Sequence, residues 1–195
     1  ILQEAQRLGY AEANPTADVE GYDAMYKLSI LSSMAFHAHM PIDVIYREGI
    51  TRLTAEDFEA AELLGYEIKL LAIGKKSGNA IEVRVHPTMV PKAHPLASVR
   101  GVFNAIFLTG HAVGDVMLYG RGAGCMPTAS AVMSDVIYSC HATGRHRYMT
   151  FRNDAAISNE VELVRDFACV YCIRLSVADA PGTMAAIAAV FAGHG

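Results

Sequence analysis

Asp23 and Lys27 stand four residues apart in a chain segment whose other charged members are Glu12, Asp18 and Glu20. If the segment is helical there, the two side chains lie one above the other on the same face. A carboxylate so placed orients the ammonium and fixes where its proton points, which is what a lysine needs to work as a general acid or base. The same spacing also describes an ordinary surface ion pair, worth only about 0.3–0.5 kcal/mol. The surrounding pattern therefore matters more than the pair.

Gly9 follows an amphipathic stretch, Leu2, Ala5 and Leu8, and can end that helix in the left-handed conformation. Asn14-Pro15-Thr16 forbids helix, and Gly21 lets a new one begin near Tyr22, running to about His39 and stopped by Pro41. Thr54-Ala-Glu-Asp57 resembles a capping box opening a helix that runs to Gly65. Two extended runs, Glu67 to Lys75 and Ala80 to Val90, are joined by a short Gly-containing connection and predict an antiparallel hairpin. A second hairpin is expected from Asn104 to Tyr119 around Gly110. Gly120-Arg-Gly-Ala-Gly124 then leads into a helix from Thr128 to about His141. Helices mixed with hairpins predict an α+β fold, one mixed or antiparallel sheet covered on one face by helices, and not a doubly wound parallel fold.

The glycine cluster Gly120, Gly122 and Gly124 sits where backbone N–H groups and a helix start could approach phosphate. It is neither the dinucleotide fingerprint nor a P-loop, since the further glycine or the Gly-Lys-Thr/Ser that those require is missing. Cys169 and Cys172 fall in an apolar run read as a strand, where i and i+3 point to opposite faces, so they share no metal. All four cysteines read as core thiols. His37 and His39, two apart on a helix, cannot share a metal either, and no metal site is expected from side chains.

With 52% hydrophobic and 18% charged residues, the 195-residue chain can bury one good core and part of another. A net charge of −4 gives no reason to expect nucleic acid or an anionic membrane as partner. No uncharged apolar run is long enough to span a bilayer. A soluble, cytoplasmic enzyme piece fits these properties. The chain opens on Ile1 inside a helical pattern, so we expect a middle fragment.

The run Ala5-x3-Gly9-Tyr10-Ala11-x2-Asn14-Pro15-x2-Asp18-Val19-x-Gly21-x-Asp23-x3-Lys27 resembles the signature of the homoserine dehydrogenase family. Val85-His86-Pro87-Thr88, Pro95-Leu96-Ala97, Gly101-Val102-x-Asn104-Ala105-Ile106 and Gly120 to Asp135 look like its later blocks, in order. Tyr171-Cys172-Ile173-Arg174-Leu175-Ser176-Val177-Ala178-Asp179-Ala180-Pro181-Gly182 looks like the opening strand and turn of an ACT domain, a βαββαβ ferredoxin-like sensor of amino acids. The implied domains are a catalytic, substrate-binding and dimerisation domain over 1–150, a linker over 151–167 and the βα start of an ACT domain over 168–195.

The resemblance implies NAD(P)-dependent interconversion of L-aspartate 4-semialdehyde and L-homoserine, on the route to threonine, methionine and isoleucine. Lys27 would be the proton donor or acceptor and Asp23 its orienting partner. Glu12 and Asp18 would hold the substrate's α-ammonium, and Gly9 would let the backbone come close to it. Gly124, with Gly122, would lie against the cofactor. The glycine fingerprint of the family's Rossmann domain does not occur in these residues, which leaves NAD against NADP undecided. Family members also bind a monovalent cation. A homodimer and threonine as an effector at the ACT domain complete the implied partners. The rival reading is a regulatory or oligomerising module without catalysis of its own.

Overall fold

The computed structural model describes residues 14–141 and 161–194, and falls into two compact units, Ile1–Arg165 and Asp166–Gly195. Gly9, Glu12 and the helix tail expected up to Leu8 lie outside the described residues.

The first unit opens with a short helix α1 (Thr16–Val19) and the long α2 (Tyr22–Phe36). Gly21 joins them at φ 75, the left-handed value that glycine adopts without steric cost. α2 stops at Phe36, earlier than the expected His39, with His37 at φ 55. Serines inside the helix account for this. Ser33 Oγ accepts from the Met40 N–H at 3.0 Å, and Ser29 Oγ donates to the Met40 carbonyl at 2.5 Å. The chain folds back over its own last turns and seats Met40 fully buried in the core. His37 and His39 thus lie beyond the helix.

A two-residue strand β1 (Tyr46–Arg47) follows, then α3 (Ala55–Leu63). The capping box at Thr54 and Asp57 forms as expected: the Thr54 N–H donates to Asp57 Oδ2 at 2.8 Å. Gly65, just past the helix, takes φ 82. The first hairpin is β2 (Tyr66–Ser77) with β3 (Ala80–Pro91), antiparallel along their whole length around Gly78. β1 pairs parallel with β3 at Arg84 and Val85, and β6 (Glu162–Val164) pairs parallel with β3 at Ala80 to Glu82. The segment expected as a linker over 151–167 therefore supplies a strand to a mixed sheet.

Alternation sorts the faces of that sheet. Ile81, Val83 and Val85 point toward α2 and form the core with Met25, Leu28, Met40 and Ile45. Gly74 of β2 lies under α2, where a Cβ would stand 2.9 Å from Ser32 Oγ and 3.5 Å from Leu28. α3 packs against β2 on the same face, around Phe58, Ile68 and Leu70. On the opposite face Arg84, although buried, ion-pairs with Glu82 and donates through Nε to His86 at 2.9 Å.

The second hairpin, β4 (Phe103–Gly110) with β5 (Gly114–Arg121), forms where expected but makes a separate two-stranded sheet among the described residues. This corrects the expectation of one sheet. The larger sheet runs β1–β3–β2 with β6 beside β3, while β4 and β5 pair only with each other among the described residues. Helix α4 (Cys125–His141) starts directly after Gly124, three residues before the expected Thr128. Pro127 is no obstacle there, because first-turn N–H groups have no intrahelical acceptor to lose.

In the second unit α5 (Thr183–His194) forms after a turn at Gly182, φ 92. The strand expected over 168–177 is absent among the described residues, since a strand exists only by pairing and this unit offers it no partner. The cysteines are also corrected: Cys125, Cys140, Cys169 and Cys172 are free and exposed, because α4 and the 168–177 run bury no residues. No helix among the described residues is long and apolar enough to cross a membrane.

Candidate functional site

Asp23 and Lys27 occupy the first two turns of α2. Asp23 Oδ2 stands 2.6 Å from Lys27 Nζ, a charge-assisted hydrogen bond, with the Lys27 side chain 57% exposed. The neighbours that fix this helix are buried: Met25 and Leu28 anchor its opposite face in the core. The pair thus stands on a rigid element with its ammonium in solvent reach. It can present a proton at Lys27 Nζ.

Asp18 is exposed on α1, and its carbonyl accepts from the Gly21 N–H at 3.1 Å, closing the turn that leads to Asp23. The structure thus brings Asp18, Asp23 and Lys27 onto consecutive turns of one short stretch. Glu12 and Gly9 are outside the described residues.

The glycine turn is a second locus. Gly124 takes φ 119, a value that side-chain-bearing residues rarely adopt, and α4 begins at the next residue. A Cβ there would meet the Pro127 ring at 3.5 Å, and the first-turn N–H groups of Cys125 and Met126 are of the kind that suits an anionic ligand. Gly122 has a different reason for lacking a side chain. Its N–H donates to the Val102 carbonyl at 3.2 Å, and a Cβ would overlap the Asn104 amide. Gly122 shapes the turn. No hydrogen bond or ion pair among the described residues joins this turn to Asp23 or Lys27.

Sequence reasoning missed the residues that hold the head of α2. Arg47 donates through Nη1 to the Glu20 carbonyl, stands 3.9 Å from the Glu20 carboxylate, and lays its guanidinium over the Tyr22 ring at 3.8 Å. Gly49 passes so close to the α1–α2 junction that a Cβ would sit 2.5 Å from the Val19 carbonyl oxygen. Gly49 after an extended run was the one available signal, since a glycine in such a place marks close backbone approach.

The homoserine dehydrogenase family model matches residues 1–137. Homoserine dehydrogenase of Neisseria gonorrhoeae is 43% identical over 98% of this chain, and that of Corynebacterium glutamicum 46% identical over all of it. The chain spans 45% and 44% of those two relatives, about half their length. Among solved structures, a homoserine dehydrogenase from Thiobacillus denitrificans superposes with a TM-score of 0.73 at 46% identity, over 84% of this chain and 38% of that one. A hyperthermophilic archaeal homoserine dehydrogenase mutant in complex with NADPH gives 0.56 at 29% identity, over 74% of this chain and 40% of that one. The match covers the Asp23–Lys27 helix, both hairpins and the glycine turn, and by it this chain belongs to the homoserine dehydrogenase family.

Proposed function

We propose that this chain carries the substrate-binding and proton-transfer part of a homoserine dehydrogenase that interconverts L-aspartate 4-semialdehyde and L-homoserine. The observation that carries this reading is the 2.6 Å contact of Asp23 with Lys27 on the buried-anchored helix α2. The nicotinamide cofactor, NAD or NADP, would supply the hydride in its reduced form and accept it in its oxidised form. Negative charge then grows on the substrate oxygen, and the Lys27 ammonium gives it a proton; in the other direction the neutral Lys27 amine takes the proton of the alcohol. Solvent access at Lys27 lets the proton be replaced. Asp23 holds Nζ in place through the step. The carboxylates of Asp18 and Glu12 take the α-ammonium, with Gly9 allowing close backbone approach. Gly124 fits a place against the cofactor because it has no side chain and takes φ 119 immediately before a helix start. Gly122, whose N–H is held by the Val102 carbonyl, shapes the turn that carries Gly124.

The same reading includes a cytoplasmic homodimer, a monovalent cation and threonine acting at an ACT-like C-terminal segment. The boundaries of 1–150 for the catalytic domain and 168–195 for the ACT start belong to it as well. The test is steady-state kinetics on the full-length gene product. Lys27→Ala should lower kcat by about 10²-fold or more, the scale for loss of a positioned general acid. An unchanged kcat in a folded variant overturns the assignment.

A further inference from the structure

We propose that Arg47 is a positioning residue for the Asp23–Lys27 pair, fastening the first turn of α2 to the sheet so that Lys27 points at the substrate; this rests on the function proposed above. Arg47 belongs to β1, which is held by β3 through the Arg47–Val85 pairing. From there its side chain crosses to the loop before α2. Nη1 donates to the carbonyl of Glu20, the same group stands 3.9 Å from the Glu20 carboxylate, and the guanidinium plane covers the Tyr22 ring. Glu20 and Tyr22 flank Gly21, whose carbonyl accepts the first α2 hydrogen bond, from the Met25 N–H at 3.0 Å.

Helix stability alone does not explain a cation there. The N-terminus of a helix carries partial positive charge, so an arginine opposes the dipole. What Arg47 does satisfy is orientation, since three separate contacts, to the Glu20 carbonyl, the Glu20 carboxylate and the Tyr22 ring on either side of Gly21, fix both the position and the rotation of the first turn. The backbone reinforces the same seam. The Ile50 N–H donates to the Val19 carbonyl at 2.8 Å, and the Glu48 N–H to the Val85 carbonyl at 2.8 Å. A Cβ at Gly21 would stand 3.3 Å from Val85 Cγ1, so the turn rests on β3 itself. Asp23 lies two residues beyond Gly21 and Lys27 six, so rotation of that turn carries both. Misplacement on the order of 1 Å at a proton donor is enough to cost roughly 10²-fold in rate.

The experiment is a kinetic cycle on the full-length gene product with Arg47→Ala, Arg47→Lys, Lys27→Ala and the double variant Arg47→Ala/Lys27→Ala. Arg47→Ala should lower kcat by about tenfold or more with cofactor Kd unchanged. Arg47→Lys, which keeps the charge and a donor for Glu20, should restore most of it. Once Lys27 is gone there is nothing to position, so the double variant should match Lys27→Ala in kcat. A further loss in the double variant equal to that of Arg47→Ala alone overturns the proposal, and so does Arg47→Ala that lowers the melting temperature but leaves kcat intact. If Lys27→Ala itself keeps wild-type kcat, the functional reading fails; if Lys27→Ala falls and Arg47→Ala does not, only the Arg47 role fails. Should Arg47→Ala not fold, Tyr22→Leu removes the stacking face and takes its place with the same expectations.

Discussion

Tyr46 donates its hydroxyl to Glu48 Oε2 at 3.2 Å on the strand that carries Arg47. Burial first, and then the Glu48 charge and hydrogen bond, hold its pKa above the ordinary tyrosine value, against an opposing pull from Arg52. The folded protein therefore keeps this proton at a pH where the unfolded chain has lost it. The stability it contributes is complete below the unfolded pKa and is lost as pH rises through the folded one. Urea unfolding followed from about pH 9 to 11 should show a shallower loss of stability in Tyr46→Phe than in wild type; parallel curves would refute this. At this scale the Asp23–Lys27 pair was legible because i and i+4 are neighbours by helix geometry alone. Arg47 was not, because its partner Glu20 lies 27 residues away and no local period announces a side chain bonding a distant carbonyl.

Among the elements, hairpins and caps were readable from local chemistry: Gly78 between two β-rich runs, the Thr54–Asp57 box, and Gly65 past α3. Ends failed where the tertiary chain intervened. α2 stops at Phe36 because Ser29 and Ser33 capture Met40, a contact that depends on where the chain goes next. The seam between β1 and α2 depends likewise on one missing side chain. At Gly49 a methyl would press on two backbone groups, 2.5 Å from the Val19 oxygen and 2.6 Å from Glu20 Cα, neither of which can rotate away. Gly49→Ala should destabilise the fold by about 1–3 kcal/mol, the range for overpacking. A urea midpoint unchanged from wild type would show that the seam is looser than this geometry.

For the molecule as a whole, the β4–β5 hairpin sets the expectation. Ile106, Leu108 and Leu118 are exposed on one of its faces, Ile106 directly opposite Leu118 in the ladder. A two-stranded sheet is marginal in water by itself, and exposed apolar rows call for cover. We therefore expect the full-length gene product to be a homodimer that covers this face, and Leu118→Lys to weaken it. Sedimentation equilibrium returning a monomer for the wild type at tens of micromolar would refute that. Strand pairing beyond neighbours was the least legible level. Nothing local in Glu162–Val164 says that it joins Ala80 to Glu82.

One edge of β3 is completed by two short strands laid end to end, β1 at Arg84 and Val85 and β6 at Ala80 to Glu82. β1 leaves the ribosome before β3, whereas β6 follows roughly seventy residues after β3 ends, a delay of about 3.5–14 s at ordinary elongation speeds of about 5–20 residues/s. During that interval the nascent sheet has half an edge closed and half open. The open half is brief, only Ala80 to Glu82, and so short an edge offers a neighbouring nascent chain little to pair with until β6 arrives.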